Sequence, residues 1–158
     1  MGTAFVDALT PQLEGRSLGV YPVDYPAANV GDYGAGANDM SRELQEQGAI
    51  CPQTRFVVGG YSLGAAATGL VIGAGLPGFG FNQKLPPEIG DRVAAVVMFG
   101  ATKLFGPTTS PAFASRTIDL CNEGDPICSN GNNRPAHSVY EQTALPAEAA
   151  TFAANLLR

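Results

Sequence analysis

The chain has 158 residues, 45% of them hydrophobic and 15% charged, with a formal net charge of −5. That length suffices for one domain, residues 1–158, with a sizeable core. The acidic balance argues against nucleic acid as a partner, and no run of about 18 apolar residues exists to cross a bilayer.

Twenty glycines and twelve prolines are spread along the chain, with no repeat, linker or low-complexity tail. The N-terminus has no basic segment followed by an apolar one, so no signal peptide is read there.

Ala4, Phe5, Ala8 and Leu9 make a helical stripe within Thr3–Leu13, which Pro11 should end or bend. Leu18–Val23 reads as a strand with Pro22 near its end, and Asp24-Tyr25-Pro26 as a loop. Ala37–Gln47 reads as a helix with Ala37, Met40 and Leu44 on one face and Gly48 as its stop. Phe56-Val57-Val58 is a short buried strand, and a helix should follow Ser62. Gly75–Pro87 reads as a loop carrying Leu76, Phe79, Phe81 and Leu85. Each of these can fold onto the core; as a group they can line a cleft for an apolar ligand. Val93–Phe99 is unbroken apolar sequence, as in a parallel strand buried on both faces. A loop over 106–111 leads to a strand at Arg116–Leu120. Pro146 opens a last helix whose buried stripe is Ala149, Phe152, Ala153, Leu156 and Leu157. Helices alternating with four short strands predict an α/β fold with a mostly parallel sheet.

Gly60-Tyr61-Ser62-Leu63-Gly64 matches the pattern G-x-S-x-G. Between a strand and an alanine-rich helix, that pattern makes a turn too tight for bulky residues at the flanking glycines. Such a turn pushes the serine hydroxyl out above the sheet edge. The Leu63 N–H at the helix start can face an oxyanion. Taken alone, the pentapeptide is equally a glycine-rich loop with a helix-capping serine. A nucleophilic serine needs a base and a carboxylate to hold that base in the right tautomer. The chain has one histidine, His137, in the polar stretch Asn132–Tyr140, where a solvated loop residue is the plain alternative. Asp125 lies on the loop after the 116–120 strand, where it is also a natural turn residue before Pro126. Asp119, within that strand, is the rival. The order Ser62, Asp125, His137 is that of the α/β-hydrolases.

Three cysteines are present. Cys121 and Cys128 flank Asn-Glu-Gly-Asp-Pro-Ile and can form a disulfide if the loop turns back. Such a bridge would hold the Asp125 loop rigid and point to an oxidising compartment. Cys51 would then be unpaired. The alternative is three buried thiols.

Cys51-Pro-x-Thr, Gly59-Gly-Tyr-Ser-Leu-Gly-Ala-Ala66, Cys121-Asn-x-Gly-Asp-Pro-Ile-Cys128 and His137 together resemble the cutinases, most of all the cutinase-like esterases of mycobacteria and related actinobacteria. Tyr21–Pro26 and Leu76–Gly80 fit that group too. The resemblance implies a small, lidless three-layer α/β-hydrolase that cleaves carboxylic esters. Ser62 would be the nucleophile, His137 the base, Asp125 its orienter and the Leu63 N–H an oxyanion donor. Residues 75–87 and 129–137 would flank the cleft. The resemblance also implies secretion and no cofactor or metal; a monomer acting on ester or lipid substrates is expected.

Two departures stand out. The family usually has Gln after the nucleophile, where this chain has Leu63. The family also begins with a central strand, whose cysteine pairs with the counterpart of Cys51, and a loop whose Ser or Thr completes the oxyanion hole. This chain starts about where that loop ends. The expectation is an N-terminally truncated domain with a slot of roughly 10 Å in its sheet. A weakly active or non-catalytic protein that binds lipid or a partner is therefore the rival to an esterase.

Overall fold

The apolar run Val93–Phe99 forms strand β2, buried at every residue. No solvated face is left to it, which is what its lack of alternation implies. Burial of each large side chain here contributes roughly 1.5–3 kcal/mol. The computed structural model, which describes residues 1–102 and 104–158, places β2 at the centre of a parallel sheet. Its neighbours are β1 (Phe56–Tyr61) and β3 (Thr117–Leu120), in the order β1-β2-β3. An irregularity after Phe56 sets Val57 opposite Ala95, and the register then runs evenly to Tyr61 opposite Phe99.

Helices cover both faces. Helix α2 (Tyr33–Ile50) and helix α3 (Leu63–Val71) pack on one, over Phe56, Val58, Val96 and Met98. Helix α1 (Gly2–Leu9) and the last helix, α5 (Leu145–Leu157), pack on the other, over Ala95, Val97, Phe99 and Leu120. This is the three-layer α/β arrangement expected. A four-residue helix, α4 (Pro87–Gly90), precedes β2. Pro11 does not stop the first helix abruptly; the chain tightens into a 3₁₀ turn over Thr10–Gln12. In α5, Ala149, Ala153 and Leu157 are buried as expected, with Phe152 and Leu156 partly so.

Three expectations need correction. Leu18–Val23 is not a strand. Its apolar residues suit a strand, but a strand also needs a ladder partner, and β1 pairs with β2 alone among the described residues. Leu18, Val20 and Tyr21 are consequently exposed. The sheet thus has three strands among the described residues, not four. Gly48 does not end α2, which continues to Ile50 and stops before Pro52. Gly48 is buried, and a Cβ there would lie 2.5 Å from Ile89 Cδ1, so this glycine serves close packing.

Candidate active site

Ser62 sits between β1 and α3 with φ 55° and ψ −115°. Such a conformation costs a non-glycine residue of order 1–3 kcal/mol and persists only where its surroundings enforce it. Here they do. The Ser62 N–H donates to the Phe99 carbonyl at 2.9 Å, extending the ladder with β2. Its carbonyl accepts the Ala65 N–H at 3.0 Å, which starts the helix. A Cβ on Gly60 would fall 2.1 Å from the Gly64 carbonyl, so the turn demands glycine there. Gly64 is less constrained, since a Cβ on it would meet only the Tyr25 hydroxyl, at 3.7 Å. Leu63 is the first residue of α3; its N–H has no acceptor within the helix and lies at the positive end of the helix dipole.

His137 lies on a 3₁₀ turn over Arg134–Ser138. Its Nε2 is 3.0 Å from Ser62 Oγ and its Nδ1 is 2.8 Å from Asp125 Oδ2. An ionised carboxylate only accepts, so Nδ1 carries the proton and Nε2 is left to accept the Ser62 O–H. Asp125 is 0% exposed. Burial alone would raise its pKa, but hydrogen bonds from His137, Tyr140 and the Ile127 N–H outweigh it and hold the carboxyl below the ordinary value. Asp125 therefore stays ionised. Asp119, the rival, is exposed on β3 and is not the carboxylate that meets His137.

The loop bearing Asp125 is tied by the Cys121–Cys128 disulfide. Gly124 has φ 82°, and a Cβ on Gly131 would lie 2.1 Å from the Gly124 carbonyl. Two loop strands thus touch backbone to backbone beneath the histidine turn. Asn122 Nδ2 donates to the Ala136 carbonyl at 2.8 Å, and the Asn133 N–H donates to the Gly124 carbonyl at 3.0 Å. Cys51 is an exposed free thiol. Cys121, Asp125 and Cys128 form the one cluster of possible metal ligands among the described residues, but both sulfurs are in the disulfide and the carboxylate is engaged by His137 and Tyr140.

Two tyrosines join this arrangement that sequence reasoning missed. Tyr140 donates to Asp125 Oδ2 at 2.7 Å while accepting the Asn122 N–H at 2.9 Å. Burial, together with the adjacent carboxylate, pushes its hydroxyl well above the ordinary pKa, so it remains a donor. Tyr61 donates to the His137 carbonyl and lays its ring beside the imidazole, centroids 4.9 Å apart. The available signals were position only: Tyr61 directly precedes the serine, and Tyr140 follows the histidine by three residues.

The loop over 75–87 divides between two places. Phe79 packs against Tyr33 and Phe105, at 5.2 and 6.1 Å between centroids, and is half exposed beside the N-terminus of α2. Tyr25 packs against that end of α2, at Gly36, and its hydroxyl lies 3.7 Å from where a Cβ on Gly64, at the start of α3, would stand, so Phe79 is at the Ser62 end of the molecule. Phe81 and Leu85 instead line a groove at the other end of α3.

Comparison with known proteins places the chain in a family. The family description "Cutinase" matches residues 1–157. Carboxylesterase Culp1 of Mycobacterium tuberculosis is 44% identical, over 99% of this chain and 73% of the relative. Phospholipase Culp4 of the same organism is 46% identical, over 98% of this chain and 70% of its own length. Among solved structures, Trichoderma reesei cutinase in complex with a phosphonate inhibitor superposes with a TM-score of 0.75 at 27% identity, covering 100% of this chain and 68% of that one. The catalytic core of acetyl xylan esterase from Trichoderma reesei shares the fold, with a TM-score of 0.80 at 18% identity over 97% and 90% of the two chains. The chain belongs to the cutinase family.

Proposed function

We propose that this carboxylic ester hydrolase is a serine esterase working through Ser62, His137 and Asp125 by way of an acyl-enzyme. The observation that carries the reading is the continuous relay from Ser62 Oγ through His137 to buried Asp125, set on a strained strand-to-helix turn. As Ser62 Oγ attacks the ester carbonyl carbon, His137 Nε2 takes its proton. The Asp125 carboxylate fixes the tautomer and stabilises the imidazolium that forms. Negative charge develops on the former carbonyl oxygen, where the Leu63 N–H donates to it. Collapse expels the alcohol, protonated by His137, and leaves the acyl group on Ser62. Water activated by His137 then attacks that acyl group, releasing the acid and restoring the serine.

The substrates proposed are cutin-like polyesters, short- or medium-chain acyl esters, or lipids. The carboxylesterase and phospholipase relatives support that range, as does the half-exposed Phe79 at the Ser62 end of the molecule. An extracellular setting is proposed from membership of the cutinase family and from the disulfide, a bond of oxidising compartments. Among the described residues, no helix is long and apolar enough to cross a membrane.

A fluorophosphonate probe tests the mechanism. It should label the wild-type chain rapidly and Ser62→Ala not at all. Ser62→Ala and His137→Ala should each abolish hydrolysis of a short-chain ester, with the double variant little worse, because the residues act as a unit. Labelling of Ser62→Ala, or losses that add in the double variant, would overturn the assignment.

A further inference from the structure

A groove of about 530 Å³ lies away from Ser62, within the roughly 300–1,000 Å³ typical of small-molecule sites. It opens at Leu70–Gly73, the C-terminal end of the helix whose N-terminus carries Ser62. Nine helical residues span about 13 Å. Arg116, on its wall, donates to the carbonyl of Val93, the first residue of β2, whereas Ser62 is bonded to Phe99, the last. The groove and the candidate active site are therefore at opposite ends of the sheet.

Half-buried Phe81, Leu85 and Pro86, with exposed Pro87 and Ala112, give the groove an apolar lining over the buried Leu70, Val71 and Phe113. Two cations share it, on a chain whose net charge is negative. Arg116 is stacked over the Phe113 ring at 4.3 Å. One guanidinium nitrogen is on the Val93 carbonyl at 2.6 Å, and the others have no hydrogen bond among the described residues. Lys84 is exposed and makes no hydrogen bond or ion pair among them. Asp91 is the single carboxylate of the lining, and neither cation is paired with it. An apolar trough with two positive groups and one negative complements a ligand with a long apolar tail and one anionic head.

We propose that this groove is a binding site for a long-chain fatty carboxylate, its tail along Phe81, Leu85 and Ala112 and its head held by Lys84 and Arg116. The proposal does not depend on the assignment of Ser62, His137 and Asp125.

The test titrates the protein with carboxyl-¹³C dodecanoate below its micellar concentration and follows the carboxyl resonance. Three proteins are compared: wild type, Lys84→Glu, and Ala112→Trp, which places an indole at an exposed position of the same groove. Each substitution should weaken binding at least five-fold with Tm preserved. The uncharged analogue 1-dodecanol should lose affinity in Ala112→Trp but not in Lys84→Glu. Wild type phosphonylated at Ser62 should bind dodecanoate as before. Absent binding, unchanged affinity in either variant, equal loss of dodecanol and dodecanoate in Lys84→Glu, or a block by phosphonylation would each overturn the site. Failure of Ser62 to react with the phosphonate would instead count against the esterase mechanism and leave the comparison of variants to be read as it stands.

Discussion

Residues 16–27 and residues 121–140 both lie largely outside helices and strands, yet they are held in opposite ways. In the first, every residue except Val23 and Tyr25 is exposed. Its side-chain anchorage centres on one carboxylate, Asp39 of α2, which accepts from Tyr21 and from the Asp24 N–H. In the second, Asp125, Cys128, Ala136 and Tyr140 are buried, a disulfide closes the loop, and polar groups bond to one another across it. Irregular backbone can be as firmly placed as a strand when its polar groups find partners inside it. The chain positions its carboxylate and histidine with the second kind of loop.

Asp125→Asn attacks that comparison at its centre. The amide keeps the volume but can donate where His137 needs an acceptor, so the imidazole takes the wrong tautomer. Turnover of a short-chain ester should fall by about 10⁴, while fluorophosphonate labelling slows in parallel. A loss under ten-fold would mean that Asp125 is a brace for the loop rather than the partner of the base.

The two regions also differ in how they could be read from sequence. The strand-to-helix turn at Ser62 was legible because a pentapeptide, a preceding β-branched run and a following alanine run all describe one local turn. That His137 would lie beside Ser62 could be read because the chain has no other histidine, and the loop position of Asp125 because a strand and a cysteine pair frame it. Strand β2 was legible because seven apolar residues in a row have no solvated face. Residues 18–23 were misread because local composition records what a segment could form, and pairing depends on a neighbour far away in sequence. Tyr140 and Tyr61 were missed because neither lies on a periodic pattern; their roles come from hydrogen bonds that only the folded loops create. Gly48 was read as a stop because capping is local, whereas its close approach to Ile89 is tertiary.

The next largest effect should come from removing the cross-link. Replacing Cys121 and Cys128 together by serine frees a loop of this length at a cost of roughly 2–3 kcal/mol. Chemical denaturation should show that loss. Turnover should fall as well, because the loop that aims Asp125 gains freedom. Unchanged turnover in the double serine variant would show that the hydrogen bonds from Asn122 and Tyr140 suffice to hold it.

Tyr140→Phe is finer. It removes a hydrogen bond to a buried charge, worth about 1.5–3 kcal/mol in general, and leaves the Asn122 N–H without its acceptor. The variant should lose stability and some turnover, with the pH dependence carrying the more specific signature. Asp125 is held below the ordinary carboxylate pKa by its hydrogen bonds. The folded state therefore binds fewer protons than the unfolded state between the two values, and stability rises with pH through that window. The contribution is complete above the unfolded carboxyl value and is lost as pH falls through the folded one. Without the Tyr140 hydroxyl the folded value moves up, so acid unfolding should begin at a higher pH in Tyr140→Phe than in wild type. Coincident acid transitions would mean that the tyrosine contributes packing alone.

The smallest effect is expected at the other region, from Asp39→Ala. Asp39 pairs with Arg42 one turn along α2 and accepts the Asp24 N–H at 2.8 Å and the Tyr21 hydroxyl at 3.0 Å. These bonds lie at the surface, where such pairs are worth about 1 kcal/mol or less. Removing the carboxylate should therefore shift Tm little and leave turnover unchanged, while amide exchange and chymotryptic cleavage speed up across residues 16–27. One contact could spoil that separation. Tyr25 belongs to the exposed segment but rests against α2 at Gly36 and reaches the start of α3 at Gly64, two residues beyond Ser62. If loosening the segment withdraws Tyr25 from the turn, turnover will fall together with protection. Measuring both in the same variant decides whether the exposed segment merely covers the molecule or steadies the turn that presents the serine.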